Sequence, residues 1–130
     1  ASVLRTERLE IVDKEGRVRA LLTTLEDTRP TLALLDKSGE FRAWLFLSED
    51  GSPKLALVNN PLLVLTDAAG EFRSVLRLDR EGSPSLGLSD KAGTFRFMLQ
   101  LTTDGSPVLL LHDKDGKVIW AAPGATPQAP

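Results

Sequence analysis

Four arginines, Arg19, Arg42, Arg73 and Arg96, recur at matched places in this chain, each six residues after an aspartate (Asp13, Asp36, Asp67, Asp90). A column of guanidinium groups across a sheet could grip carboxylates or sulfated sugars through paired N–H donors. The same arginines could instead pair with the turn aspartates and lay their stems over apolar surface, and repetition in every unit favours this second role. The aspartates raise calcium, above all at Asp113-Lys114-Asp115-Gly116. A calcium loop gathers about six to eight oxygens on one point. Each turn here offers one or two carboxylates, already engaged as turn caps, so no metal site is expected. His112 is the only histidine and fills the repeat position held elsewhere by Val12, Leu35, Val58, Thr66 and Ser89. No cysteine, Ser-His-Asp spacing, His-Glu-x-x-His or phosphate-binding glycine loop accompanies it. The reading is therefore of a non-enzyme with no catalytic residue and no cofactor.

What stands out from the repeat is apolar. Trp44 and Phe46 flank Arg42 in alternation, Met98 lies in the later equivalent strand, and Trp120 stands near the end. Aromatic residues and arginine concentrate at interface cores, so Arg42, Trp44, Phe46, Met98 and Trp120 form the candidate interface. The competing reading is a second, thinner core made when the sheet folds over itself. In a single-layer sheet the patch has to be an interface, because both faces would be too apolar for water.

The elements that position these residues follow from a 23-residue unit, Leu-x-Leu-x-Asp-x-x-Gly-x-x-Arg, with alternating apolar residues and then a Gly-Ser-Pro turn. Copies begin at Leu9, Leu32, Leu63, Leu86 and Leu109, with a truncated one at Leu55. Asp-x-x-Gly predicts a type I turn with a glycine bulge joining antiparallel strands. The second turn is seen at Asp50–Pro53, Glu81–Pro84 and Asp104–Pro107, and more weakly at Asp27–Pro30. Period-two alternation places Phe41, Ala43, Leu45 and Leu47 on one face, and Arg42, Trp44 and Phe46 on the other. The first face is expected to rest on a core. A shift of 54 residues maps Asp36 to Asp90, Phe41 to Phe95 and Arg42 to Arg96, so two blocks, 9–62 and 63–116, share one plan. The first loses a strand that the second keeps, with a corner or seam near Asn59-Asn60-Pro61.

The expected fold is all-β: an antiparallel meander of about eleven short strands, closing as a barrel, stacking as a sandwich or extending as a hairpin solenoid. Residues 1–8 read as an N-terminal extension, 9–122 as one β-repeat domain, and 123–130 as a Pro/Ala-rich tail. The chain has 130 residues, a net charge of −2 spread along its length and no apolar run approaching the roughly 20 residues of a membrane helix. Neither nucleic acid nor a transmembrane segment is expected. A start at Ala1 suits a chain trimmed after a signal peptide.

The Leu-x-Leu-x-Asp-x-x-Gly-x-x-Arg units over residues 9–121 resemble those of uncharacterised bacterial envelope proteins built from such hairpins. The resemblance implies an extracellular or cell-envelope location. Together these features point to a structural homo-oligomer, in one form the subunit of a filament. The alternative is a module that binds a glycan or a protein through the mixed face.

Overall fold

The computed structural model describes residues 2–25 and 29–123. Among them lie eleven strands and no helix: β1 (Arg8–Val12), β2 (Val18–Thr24), β3 (Pro30–Leu35), β4 (Phe41–Leu47), β5 (Pro53–Leu57), β6 (Leu62–Thr66), β7 (Phe72–Leu78), β8 (Pro84–Ser89), β9 (Phe95–Leu101), β10 (Pro107–His112) and β11 (Val118–Ala122). Strands β1 to β5 form one antiparallel meander and β6 to β11 a second, each open at both ends. The all-β meander is thus observed, and neither sheet closes as a barrel. The chain divides into two compact units between Asn59 and Asn60, within the stretch read as a seam. The first sheet is the one short of a strand. Residues 124–130 of the tail, and residues 26–28 of the weaker turn, lie outside the described residues.

Local chemistry builds each corner. At Asp36 the Gly39 N–H donates to the aspartate's carbonyl at 3.1 Å, and the Asp36 N–H donates to the Glu40 carbonyl at 3.0 Å. Its Oδ1 accepts the backbone N–H groups of Ser38 and Glu40 at 2.8 and 3.1 Å. Gly39 sits at φ +84°, the left-handed region where an L side chain crowds its own backbone. Asp13, Asp67, Asp90 and Asp113 cap their turns in the same way. At the opposite corners a hydroxyl joins in: the Ser48 hydroxyl donates to Asp50 at 2.7 Å, and the Thr102 hydroxyl donates to Asp104. Pro53, Pro84 and Pro107 then open strands, where a missing N–H is tolerated.

Register shows something the alternation did not. Every Asp-x-x-Gly hairpin slips by one residue beside the aspartate, between Ile11/Val12, Leu34/Leu35, Leu65/Thr66, Leu88/Ser89 and Leu111/His112. The extra residue is Arg19, Arg42, Arg73 and Arg96 in four hairpins, and Ile119 in the fifth. A bulge of this kind carries the residue before it to the other face. Phe41 therefore pairs with Leu35 and joins the Trp44 face instead of the Ala43–Leu45–Leu47 face. Phe95, opposite Ser89, crosses over in the same way.

Candidate functional site

With bulges counted, the two faces of each sheet separate cleanly. One carries a ladder of leucines in direct register, Leu9–Leu22–Leu32–Leu45–Leu55. Its counterpart in the second sheet is Leu63–Leu76–Leu86–Leu99–Leu109, ending on Ala122. By register no charged residue of any strand stands on these two faces. The paired strand charges, Arg8, Glu10, Lys54 and Arg77, stand on the opposite, mixed faces, and the bulge arginines Arg19, Arg42, Arg73 and Arg96, unpaired in register, continue the mixed-face alternation of the strand residues after them.

The expectation that the leucine face rests on a core is overturned. The five ladder leucines of the first sheet are 45–61% exposed. Among the described residues only Leu21 and Ala33 are buried apolar side chains, and both belong to the mixed face. Ala33 and Ala56 flank Trp44 in register, and these small neighbours leave room for the indole to lie over the sheet. Trp44 meets Phe41 at a ring-centroid distance of 5.7 Å and Phe46 at 6.1 Å, forming an aromatic strip along β4. In the second sheet Met98 takes the place of Trp44 and Gly87 that of Ala33. Gly87 is needed because the Phe95 ring lies over it; an added Cβ would fall 2.6 Å from the ring edge.

The arginines act as stitches. Arg96 sets Nη1 3.3 Å from Asp90 of its own hairpin and donates Nε to the His112 carbonyl, at the neck of the next hairpin, at 2.8 Å. Arg73 joins Asp67 to the Ser89 carbonyl, and Arg19 joins Asp13 to the Leu35 carbonyl. Arg42 pairs with Asp36 and reaches the Asn59 carbonyl at 3.3 Å, where the third hairpin of that block is missing. The column is therefore consumed by the sheet's own turns. Donors within the turns themselves favour the ionised form of several aspartates. Asp50 is lowered to about 2 by the Ser52 N–H and the Ser48 hydroxyl, and Asp104 to about 2 by the Thr102 hydroxyl and the Ser106 N–H. Asp36 is lowered chiefly by the Glu40 N–H.

Of the five candidate interface residues, Arg42, Trp44 and Phe46 share the mixed face of the first sheet, and Met98 holds the equivalent place in the second. Trp120 does not join them. It lies opposite Leu111, in the row of Leu88 and Phe97, on the leucine face. Aligning the fifth unit on the fourth equates Trp120 with Phe97, a signal available in the sequence. In sequence the ladders combine the leucines that open copies, Leu9, Leu32, Leu55, Leu63, Leu86 and Leu109, with Leu22, Leu45, Leu76 and Leu99 thirteen residues further on, a set whose face is expected on a core. His112 contributes its carbonyl, while its Nδ1 is buried without a hydrogen-bond partner. Among the described residues no cluster of three or more His, Cys, Asp or Glu side chains could hold a metal ion. No helix of the described residues is long and apolar enough to cross a membrane. No protein-family model matches the chain, and a comparison with curated proteins finds no similar sequence.

Proposed function

We propose that this chain is a non-enzymatic structural repeat protein that self-associates, outside the cell or in its envelope, with a filament as one product of that assembly. The observation that carries the reading is exposed apolar area on sheets whose end strands, β1, β5, β6 and β11, each have one hydrogen-bonded neighbour among the described residues. Exposed apolar surface of this extent marks an interaction site, and unpaired strand edges offer a second means of contact. The polar repeat residues support the reading from the other side, since Asp, Gly, Arg and Pro are each engaged in turn or stitch chemistry. The likeness of the units to hairpin repeats of bacterial envelope proteins supports the location. Light scattering coupled to size exclusion, with negative-stain microscopy, tests the proposal. Species larger than one chain are expected, and a monodisperse monomer at millimolar concentration refutes it.

The aromatic strip of Phe41, Trp44 and Phe46 beside Arg42 favours a second reading, a glycan- or protein-binding module. A glycan array probed with the wild type and Trp44→Ala separates the two. Binding that disappears with Trp44 supports the module, and an empty array beside intact assembly removes its glycan-binding form.

A further inference from the structure

We infer that the contact surface is the leucine face, and that its occupant is the leucine face of a second copy of this chain. This rests on the self-association proposed above and gives it a geometry: two meanders packed face to face as the halves of a sandwich.

Three features converge on that occupant. The first is area. At roughly 180 Å² for a fully exposed leucine, the apolar side chains on this face of the first sheet present on the order of 700 Å² to solvent. A stable complex buries about 800 Å² on each partner, so one face comes close to a full interface. The second is shape. Each ladder is a row of similar knobs, one per strand, at about the 4.8 Å strand spacing. Beside it lies a hollow. In the first sheet this hollow is about 360 Å³, bordered by Leu22, Leu32, Leu45, Pro30, Leu47 and Pro53. A shift of 54 residues gives its twin, about 190 Å³, bordered by Leu76, Leu86, Leu99, Pro84 and Leu101. Every leucine face thus carries both knobs and a receptacle large enough for a leucine side chain, which is what self-complementary packing across aligned sheets uses.

The third feature is charge. The turns rimming these faces mix both signs, as in Asp36-Lys37 beside Glu40 or Asp13-Lys14-Glu15-Gly16-Arg17, and the chain's net charge is only −2. Two copies approach without strong repulsion. No basic rim exists to draw the face onto an anionic lipid surface.

Leu32 and Leu45 are register partners, as are Leu86 and Leu99, so Leu32→Lys with Leu45→Glu and Leu86→Lys with Leu99→Glu make both leucine faces polar while giving each strand pair a new cross-strand ion pair. By light scattering this fourfold variant is expected to fall to the mass of one chain, with its far-ultraviolet β signal kept. Assembly that persists in it overturns the inference while leaving self-association standing; a monomeric wild type overturns both. The two tryptophans supply a readout that does not depend on that variant folding. Trp120 lies on a leucine face and Trp44 on a mixed face. In Trp44→Phe, acrylamide quenching of Trp120 should weaken at least threefold on going from dilute to assembled protein. In Trp120→Phe, quenching of Trp44 should stay constant. Trp120 that remains as quenchable in the assembly as in dilute protein refutes the inference. So does a Trp120 blue shift on uncharged phosphatidylcholine vesicles in protein that stays monomeric, because lipid would then be the occupant.

Discussion

Replacing Gly39 with alanine isolates what a repeat corner costs. Nothing lies within 4 Å of the position a Cβ would take there, so steric contact with neighbours contributes nothing. What remains is the backbone at φ +84°. An L residue in that region costs about 1–2 kcal/mol, and the stiffer unfolded chain returns about 0.5 kcal/mol of it. The net loss is about 1 kcal/mol, which lowers Tm by about 4–8 °C for a unit of this size. Gly39→Asn should lose less than half as much, because asparagine tolerates this conformation. Gly87 provides the contrast. Its constraint is the Phe95 ring, with an added Cβ 2.6 Å from the ring edge, so Gly87→Ala should be rescued by Phe95→Ala. Gly39→Ala should show no coupling to any neighbour. Thermal melts followed by circular dichroism, all at one dilute protein concentration so that assembly does not shift Tm, would measure both effects. A Gly39→Ala protein melting at the wild-type temperature, or Gly39→Asn losing as much as Gly39→Ala, would refute the conformational argument.

Other outcomes follow from the same geometry. Arg96→Lys keeps the charge but loses the Nε donor to the His112 carbonyl, and should cost about 1 kcal/mol in urea unfolding; wild-type stability would contradict the stitch. Trp44→Ala removes the centre of the aromatic strip and should cost about 1.5–3 kcal/mol, yet leave assembly through the leucine faces intact. The pH dependence has a definite sign. Asp50 and Asp104 bind protons less readily folded, at about 2, than the ordinary 3.8, so their contribution is full above pH 3.8 and fades as pH falls towards 2. Melting temperature should be flat from pH 7 to about 5 and drop between 4 and 2, with Asp50→Asn flattening the drop; a loss centred above pH 5 would contradict this.

Much of this architecture could be read directly from residue order. Asp-x-x-Gly and Gly-Ser-Pro fix where the chain turns, because each depends on a side chain and a glycine only a few residues apart. The missing strand of the first block was legible for the same reason, from the arithmetic that ends at Asn59-Asn60-Pro61. The bulges were not legible. Alternation counts residues, whereas face depends on backbone register, and one unpaired arginine per hairpin carried Phe41 and Phe95 across the sheet. The candidate interface residues divide for a simpler reason. Arg42, Trp44 and Phe46 alternate along one strand and share a side, while Trp120 holds the place of Phe97, one residue off that alternation, and so stands among the leucines. The largest departure concerned the leucines. A strand pattern tells which side chains share a face, but whether anything covers that face is a property of the assembled layers.

The arginine stitches have a consequence for growth of the array. Arg19, Arg73 and Arg96 each tie a hairpin to the hairpin after it, Arg42 closes on Asn59, and the run in the second sheet ends on its last hairpin, where Ile119 stands in the arginine's place and offers no onward donor. Order in such a chain is handed along like a row of clasps, and no clasp depends on how many others exist. The number of units is then a quantity that duplication or loss of 23 residues can reset without redesign of the rest. The shorter first sheet, whose last arginine closes on Asn59 instead of another hairpin, shows that a sheet can also end part-way through a unit.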